Sequence, residues 1–502
     1  GFDDEMLAQG VVLANYGLHL GDLTELKGLF EHATTFGSLI QVLEGLAEKL
    51  PALKQLSETT SQDLFVSEAL EQLGPLVQQA ELLAAQYDAV VANPPYMGGK
   101  FMNASLKKFV KDNFPNAKND LFASFIERGY GLANGVGDIA MITMHSWMFL
   151  SSHQAFREQM LQNQTLRNLA HFPYDGKRPT VMEINFGVAV VVAHNVRLIG
   201  YQGHYCCSRY FELGEDGVPF EFPTPNERLS TVPASEFEKI PGMPVAYWAS
   251  YAARSTFSGT LLGEIAKPLK GFDTGGQTEM YLRLWPEVSE QSVFREGRKL
   301  EDCSWVEANK GGVFRKWYGN RENLVFFRDS GAVLYNKKGA NIRNRESYFR
   351  AGITYSIISS ARISFRRAFS EAVIEQNGPT SVVDDEEKLF GLLALANSKV
   401  ADHLIAIISP TMAYTVNDVA KLPIIWPNQK GELVVASKTI SAHARSDWNA
   451  YERSWDFESL PILTASTEPK PTLESSYIAW ITQNRDTIAE MKLLEEENNR
   501  LF

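Results

Sequence analysis

The spacing of apolar residues predicts helices in the first part of the chain. Residues 36–86 carry apolar side chains at i, i+3, i+4 and i+7, with a break near Pro51, so we expect consecutive amphipathic helices there. Residues 17–26, GLHLGDLTEL, alternate between apolar and polar positions. That alternation predicts a short strand running into an acidic turn.

After residue 86, short apolar runs alternate with segments of helical spacing. Strands are predicted for DAVVA, for 137–148, for TLRNLAHFPYD and for 181–193, and helices for 119–135 and 151–163. This alternation is typical of an α/β layer with a mixed sheet. From about residue 196 to 427 short strand-like pieces prevail, with one strong helix at 387–408, and a charged amphipathic helix closes the sequence.

Composition limits the class of protein. Of the 502 residues, 44% are hydrophobic and 22% charged, as in globular proteins. No run reaches the about 18 uncharged apolar residues of a membrane span, and GFDDEMLAQG lacks the features of a secretory signal. Three cysteines (Cys206, Cys207 and Cys303) are too few for a disulfide framework. We therefore expect a cytoplasmic protein without a membrane partner.

Charge is unevenly distributed along the chain. The formal net charge of −12 argues against a nucleic-acid partner if it is taken as an average. However, residues 1–92 hold 14 acidic against three basic residues, whereas residues 308–370 hold 13 basic against three acidic residues, with aromatic residues interleaved. Such a block suits a phosphate backbone and stacked bases, although a solvated basic surface over an ordinary core explains it equally well.

The sharpest motif is Asn93-Pro94-Pro95-Tyr96, directly after the predicted strand DAVVA. Two prolines stiffen the loop at the carboxyl end of the strand, where α/β proteins bind ligands. An amide oxygen and a backbone carbonyl there can accept both hydrogens of an exocyclic amine, and the tyrosine offers a flat face to a planar base. The alternative is a turn that the prolines merely stiffen.

With this motif the sequence resembles the gamma-class adenine-N6 DNA methyltransferases, which use S-adenosylmethionine as methyl donor. Within that class it is most similar to the PglX-type methyltransferases of BREX phage-defence systems. The resemblance rests on the four-residue motif and on the segments NDLFASFIERGYGLANGVGDIAMITMHSWM, SSHQAFREQML and HFPYDGKRPTVMEINFGVAVVVA. It implies a partial Rossmann-like mixed sheet, followed by an α+β target-recognition domain and a helical C-terminal segment.

The resemblance also assigns roles to residues. It implies that Asn93 and the Pro94 carbonyl hold the target adenine amine in the loop that Pro95 stiffens, while Tyr96 stacks on the ring. A second stacking aromatic falls on Phe172, with Phe186 as the alternative. Asp22 occupies the position of an acidic residue near the donor's adenine. No metal is implied.

A second set of segments resembles the target-recognition domain of the family: residues 261–285, 316–320, 353–367 and 397–424. The implied domains are a partial methyltransferase domain at 1–195 with a helical insertion at about 30–86, a connecting region at 196–244, the recognition domain at 245–430 and a C-terminal helical segment at 431–502. The partner is double-stranded DNA, and the predicted contacts are Lys310, Arg315, Lys316, Arg343, Arg345, Arg362, Arg366 and Arg367.

The sequence departs from the family in two places. The glycine-rich donor loop of the class is absent, and EEENNRLF resembles the start of a segment that normally continues. We therefore expect an internal fragment of a longer protein. Two alternatives stay open: a DNA-binding specificity module with an inactive catalytic half, and part of a fused restriction endonuclease-methyltransferase. Contacts with other defence-system proteins are a further expectation.

Two weaker signals have simpler explanations. His204-Tyr205-Cys206-Cys207 contains metal-ligating residue types, but no second cluster has ligand spacing, so we predict no zinc site. Glu386-Glu387-Lys388 contains the Glu-x-Lys element of some nucleases. It also opens a predicted helix, where acidic side chains favour the helix dipole, and capping explains it better.

Overall fold

The computed structural model describes residues 2–174, 185–208, 214, 227–276, 278–336, 338–359 and 362–502. The chain forms two compact units, Gly1–Glu238 with Gly242–Trp248, and Lys239–Pro241 with Ala249–Phe502. Part of the predicted strand at 181–193 and Lys337 of the basic block lie outside the described residues. The first unit includes most of the region 196–244 that was predicted to be a connection.

The first unit begins with a cluster of helices around its own apolar core. The helices are α1 (Asp4–Gly10), α2 (Leu20–Leu29), α3 (Ala33–Phe36), α4 (Glu44–Ala47), α5 (Leu50–Ser57) and α6 (Leu64–Ala84). The strand predicted at 17–26 is wrong. Leu23 and Leu26 are buried one helical turn apart, and a capping box between His19 and Asp22 begins α2.

A six-stranded mixed sheet follows, in the order β1-β2-β4-β3-β5-β6. Its strands are β1 (Tyr87–Ala92), β2 (Ala133–Met144), β3 (Thr165–Phe172), β4 (Val188–His194), β5 (Gln202–Cys207) and β6 (Ser230–Pro233). β1 pairs with β2 in parallel, β4 runs antiparallel to β2 and β3, β5 is parallel to β3, and β6 is antiparallel to β5. The predicted α/β layer with a mixed sheet is confirmed.

Three helices of the first unit accompany this sheet: α7 (Ala104–Asn113), α8 (Leu121–Leu132) and α9 (Gln154–Asn163). Phe122 and Ile126 of α8 are buried in the same apolar core as Ile139 and Met141 of β2. Alternate side chains of β2 thus face that core, as expected for a strand with one buried face. The packing fixes α8 beside the loop that follows β1.

The second unit contains two four-stranded sheets, ordered β13-β9-β10-β8 and β12-β11-β14-β7. The strands are β7 (Pro268–Leu269), β8 (Leu282–Leu284), β9 (Trp305–Asn309), β10 (Asn323–Phe326), β11 (Gly352–Tyr355), β12 (Phe365–Ala368), β13 (Ala372–Ile374) and β14 (Thr380–Val382). Its helices are α10 (Tyr251–Thr256), α11 (Leu262–Ile265), α12 (Thr278–Tyr281), α13 (Arg328–Tyr335), α14 (Glu386–Ala396), α15 (Lys399–Ile408), α16 (Val416–Val419), α17 (Lys430–Asn449) and α18 (Leu473–Leu501).

The single helix predicted at 387–408 is two helices, α14 and α15, which meet at 70°. The side chain of Asn397 ends α14 by a tertiary contact: its Oδ1 accepts from the Phe365 N–H and its Nδ2 donates to the Phe365 carbonyl, both at 3.0 Å. Ser398 then caps α15. No single helix among the described residues is long and apolar enough to cross a membrane. Among these residues, only α14 and α15 taken together reach the length and apolar composition of a membrane span.

Arginines of the basic block form part of the interior of the second unit. Arg321 donates to both carboxylate oxygens of Glu307, at 2.7 and 2.5 Å, and to the Tyr318 hydroxyl at 2.7 Å. Its guanidinium also lies 4.0 Å from the centre of the Phe369 ring. Burial alone would lower the pKa of Arg321, but the charge of Glu307 raises it above its usual value.

We expect Glu307→Gln to lower the midpoint of thermal unfolding markedly, because a buried guanidinium left without its carboxylate costs about 3–5 kcal/mol. Arg350→Met is the matched control. It breaks the exposed pair with Asp384, which is worth no more than about 1 kcal/mol. Thermal melts followed by circular dichroism measure both. Equal losses would contradict a structural role for the buried pair.

Candidate functional site

The Asn93-Pro94-Pro95-Tyr96 loop leaves the sheet at the carboxyl end of β1. Asn93 is exposed, Pro94 is buried and Tyr96 is half-buried. The Tyr96 hydroxyl lies 3.2 Å from Asn93 Oδ1 and 3.2 Å from the Ile142 carbonyl oxygen of β2, and its one proton is donated to either. Burial raises the pKa of Tyr96, so the hydroxyl keeps this proton at neutral pH. The tyrosine thus ties the asparagine amide to the neighbouring strand.

The start of α8 holds the rest of the loop. The Met97 N–H donates to Asp120 Oδ1 at 3.0 Å, and the Leu121 N–H donates back to the Met97 carbonyl at 3.0 Å. The Gly99 N–H donates to the Asn119 carbonyl at 3.0 Å. Burial raises the pKa of Asp120, and the hydrogen bond from Met97 opposes that shift. The four-residue motif revealed nothing of Asp120, because this contact joins positions 23 residues apart.

Two aromatic rings stand edge-on to Tyr96. The Phe186 ring centre lies 5.5 Å from that of Tyr96 at an interplanar angle of 84°, and the Phe122 ring lies 6.3 Å away at 82°. Phe172 is only 4% exposed at the end of β3, so its ring has little free surface for a base. Of the two aromatics predicted to stack on the target, the structure therefore brings Phe186 to Tyr96. That favours the alternative over the first choice.

A polar network that the sequence did not reveal adjoins Phe186. His145 Nδ1 lies 2.9 Å from His171 Nε2, and His171 Nδ1 lies 3.0 Å from the Tyr247 hydroxyl. Burial lowers the pKa of His145 to about 4 and that of His171 to about 3, with the His145 charge also lowering the latter. Both rings are therefore neutral near pH 7. No local motif marks them, since His145 follows β2, His171 lies in β3 and Tyr247 lies 76 residues beyond His171.

Asp22 lies in the helical cluster, where its Oδ2 accepts from the His19 N–H at 2.8 Å. This contact caps α2, and the strand on which its donor-binding role was predicted is absent. The role of Asp22 stays a prediction. β1 is an edge strand among the described residues. The groups described beside it, such as Asn93 Oδ1, are hydrogen-bond acceptors that suit an amine rather than a nucleoside donor. We therefore assign no residue to donor binding.

The predicted DNA contacts divide into interior and exposed groups. Arg366 is only 1% exposed, so its prediction as a DNA contact is wrong: β12 turns its side chain inward, where Nη2 lies 3.5 Å from Ser356 Oγ.

Three further predicted contacts are held by neighbouring residues. Lys316 donates to the Asn397 carbonyl at 3.0 Å. The Arg315 guanidinium lies 4.9 Å from the Trp448 ring centre, and that of half-buried Arg367 lies 4.8 Å from Phe369. These last three cations are partly buried and contact other residues of the second unit, and their DNA contacts stay predictions.

The other predicted contacts are more accessible. Arg343 and Arg345 are exposed, and Lys310 is half-buried. Arg345 donates to the Ser330 carbonyl at 3.2 Å. The Arg362 side chain is 73% exposed, but its Nη1 lies 3.3 Å from Asp402 Oδ2.

A basic surface lies along residues 328–345. We define the basic loop surface as Arg328, Lys338, Arg343 and Arg345, which are all exposed. Within the described part of the chain, the first three have no carboxylate within salt-bridge distance. The backbone has positive φ at Asp329, Ser330 and Asn344, which bends these loops sharply. Arg328 and Lys338 were part of the predicted basic block but not of the predicted contacts, because a charge count cannot separate free cations from paired ones.

Across the described ranges, no group of three or more His, Cys, Asp or Glu side chains is arranged to hold a metal ion. Cys206 and Cys207 lie on β5, the strand that also carries His204. The prediction that the reaction needs no metal stays a prediction.

Asp120→Ala is expected to lower the free energy of unfolding by about 1–2 kcal/mol, because it leaves the half-buried Met97 N–H without this partner. Asp120→Asn keeps an oxygen acceptor and should lose less. Urea denaturation followed by tryptophan fluorescence measures both variants. Equal stability of Asp120→Ala and the unchanged protein would show that the loop does not depend on this carboxylate.

Comparison with known proteins finds similarity to methyltransferases. Residues 36–177 match the family model of the Eco57I restriction-modification methylase. The adenine-specific methyltransferase BrxX of Escherichia coli O9:H4 (strain HS) is 34% identical over 99% of this chain and 41% of its own length. The adenine-specific methyltransferase PglX of Lacticaseibacillus casei (strain Zhang) is 32% identical over 96% of this chain and 42% of its own.

Among solved structures, the Type IIL restriction-modification enzyme MmeI in complex with DNA aligns with 95% of this chain and 73% of its own chain, at 12% identity and a TM-score of 0.48. The chain spans about two-fifths of the length of both curated relatives. Over nearly all of its residues, the chain is similar to the adenine-specific methyltransferases BrxX and PglX, as its sequence predicted, and residues 36–177 resemble the Eco57I restriction-modification methylase.

Proposed function

We propose that the protein containing this chain transfers a methyl group from S-adenosylmethionine to the N6 amine of adenine in DNA, as part of phage defence or restriction-modification. One observation carries the proposal. The Asn93 amide oxygen stands exposed at the carboxyl end of β1, next to the Pro94 carbonyl, on a loop fixed by Tyr96 and by α8.

The acceptors of this loop match the chemistry of an exocyclic amine. Asn93 Oδ1 has two lone pairs, and the Tyr96 hydroxyl occupies at most one of them. The other, together with the Pro94 carbonyl, accepts the two N–H groups of the target amine. Accepting both hydrogens withdraws the nitrogen lone pair from the ring and leaves it free to attack a methyl group.

The adenine must leave the duplex to reach this loop, since its amine is paired inside the helix. The Tyr96 ring offers a face on which the extruded base stacks. Phe186, edge-on to Tyr96, forms the side of the same pocket. Stacking of this kind offsets the few kcal/mol lost when a base leaves the helix.

S-adenosylmethionine is the donor that the family relationship implies, and when bound it supplies the methyl group. Asn93, Pro94 and Tyr96 act on the target amine and base. No described residue is assigned to the donor.

The basic loop surface supports DNA as the substrate. Arg328, Lys338 and Arg343 are free to neutralise phosphates, whereas Arg321 of the same block is held by Glu307 and the Phe369 ring. The acidic helical cluster of residues 2–84 would repel DNA. A contact between that cluster and other defence-system proteins stays a prediction.

Asn93→Ala in the full-length protein is expected to reduce methyl incorporation into DNA by at least about 100-fold, as for the loss of one preorganised hydrogen-bonding group in other enzymes. Asn113→Ala, an exposed asparagine at the end of α7, is the matched control and should retain activity. Transfer of tritiated methyl groups from S-adenosylmethionine measures both. Undiminished transfer by Asn93→Ala would refute the assignment. Folded, DNA-binding protein without transfer in the unchanged form would favour an inactive specificity module.

The triple variant Arg328→Ala, Lys338→Ala, Arg343→Ala should weaken duplex binding and reduce the slope of log K against log salt by up to about 2.7, since each phosphate contact contributes about 0.9. A matched triple variant changes Arg350, Lys438 and Arg500 to alanine. These cations are already paired with Asp384, Glu386 and Glu497. Fluorescence anisotropy at several salt concentrations compares the two. An equal loss of slope in both would contradict the basic loop surface as the site of DNA contact.

A further inference from the structure

The segment before β4 makes an unusually close approach to His145. A Cβ atom added at Gly187 would lie 2.2 Å from Cε1, 2.3 Å from Nδ1 and 2.6 Å from Nε2 of the His145 ring. The His145 N–H also donates to the Gly187 carbonyl at 2.9 Å, which continues the β2–β4 pairing beyond Met144 and Val188. Gly187 thus rests directly against the imidazole ring.

The imidazole of His145 has little freedom to move aside. Its Nδ1 is hydrogen-bonded to His171 Nε2, and His171 is in turn hydrogen-bonded to Tyr247. The Phe149 ring packs edge-on against His145 at 4.9 Å, and Tyr205 stacks on Tyr247 at 5.5 Å and 11°. His171 and Tyr247 are buried. A side chain at position 187 would therefore displace the backbone rather than the ring.

Gly187 directly follows Phe186, the ring that stands edge-on to Tyr96. Resting on the proposed function, we propose that His145 is a positioning residue of the target-base pocket. The His145 ring packs against Gly187 and thereby holds Phe186 against Tyr96. His171 and Tyr247 in turn hold the His145 ring in place. His145 itself does not touch the base. It acts through the backbone of Gly187, and this is why position 187 requires a residue without Cβ.

The first test places 3-fluorotyrosine at position 96 of the full-length protein and records its ¹⁹F resonance, which responds to the ring current of Phe186. Gly187→Ala should shift the resonance. Gly135→Ala, whose Cβ would meet nothing within 4 Å, should leave it in place. In the double variant Gly187→Ala, His145→Ala, the added methyl group enters the space left by the ring, and the resonance should return toward its original position. An unshifted resonance in Gly187→Ala, or no recovery in the double variant, would overturn the proposal.

The second test is kinetic. Gly187→Ala should lower kcat for methyl transfer by on the order of 100-fold, because a displacement of about 1 Å in a positioned group costs that much. KM for DNA should change little, since the basic loop surface is untouched. The midpoint of thermal unfolding should fall, because Gly187 adjoins buried Val188 and His145 packs against Phe149 of the core. Recovery of kcat in the double variant separates positioning from general damage. Unchanged kcat in Gly187→Ala would refute the role of His145.

Tyr247→Phe provides a milder variant if the others fail to fold. Loss of the hydroxyl frees His171 Nδ1 and should shift the ¹⁹F resonance in the same direction, by less. An unshifted resonance would show that the network does not hold His145. The ¹⁹F measurement needs no activity, so it tests the positioning role even if the unchanged protein transfers no methyl group, an outcome that would refute the proposed function alone.

Discussion

The loop after β1 depends on hydrogen bonds that its own sequence cannot make. Pro94 and Pro95 have no backbone N–H, so the segment cannot be held by strand pairing or by a tight turn of its own. Its position comes instead from the Tyr96 hydroxyl, which reaches the neighbouring strand, and from Asp120 and Asn119 before α8. Because the Tyr96 hydroxyl occupies at most one lone pair of Asn93 Oδ1, the oxygen keeps a second lone pair for a ligand at the sheet edge.

The need for hydrogen bonds from other elements also explains what surrounds the loop. α8 must be buried firmly to hold Met97, and it is, through Phe122 and Ile126 in the core of the sheet. Tyr96 must lie close to β2, which places its ring beside Phe186 at the start of β4. The aromatic pocket and the acceptor loop are therefore consequences of one arrangement of β1, β2, β4 and α8. In the second unit, Arg321 and Arg366 lie in the interior instead. The basic surface is therefore smaller than the 13 basic residues of 308–370 suggest.

The parts of the fold and of the loop that are marked by a local sequence signal could be predicted. β1, the loop that follows it and the mixed sheet come from short apolar runs and one four-residue motif. The strand predicted at 17–26 failed because ten alternating residues also suit a helix whose buried positions are Leu23 and Leu26. The bend at Asn397 could not be predicted, since it depends on a hydrogen-bonded contact with Phe365. Likewise, the buried state of Arg366 and the place of Phe186 depend on strand pairing between distant segments, which composition does not encode.

A structure of the full-length protein bound to a DNA duplex that contains its target adenine tests the role of the loop. We expect the adenine to be extruded from the helix, with its N6 at hydrogen-bond distance, about 3 Å, from both Asn93 Oδ1 and the Pro94 carbonyl oxygen. We also expect the base to lie on the Tyr96 ring. An extruded adenine whose amine faces other groups, or a complex in which the loop contacts only the DNA backbone, would contradict this role.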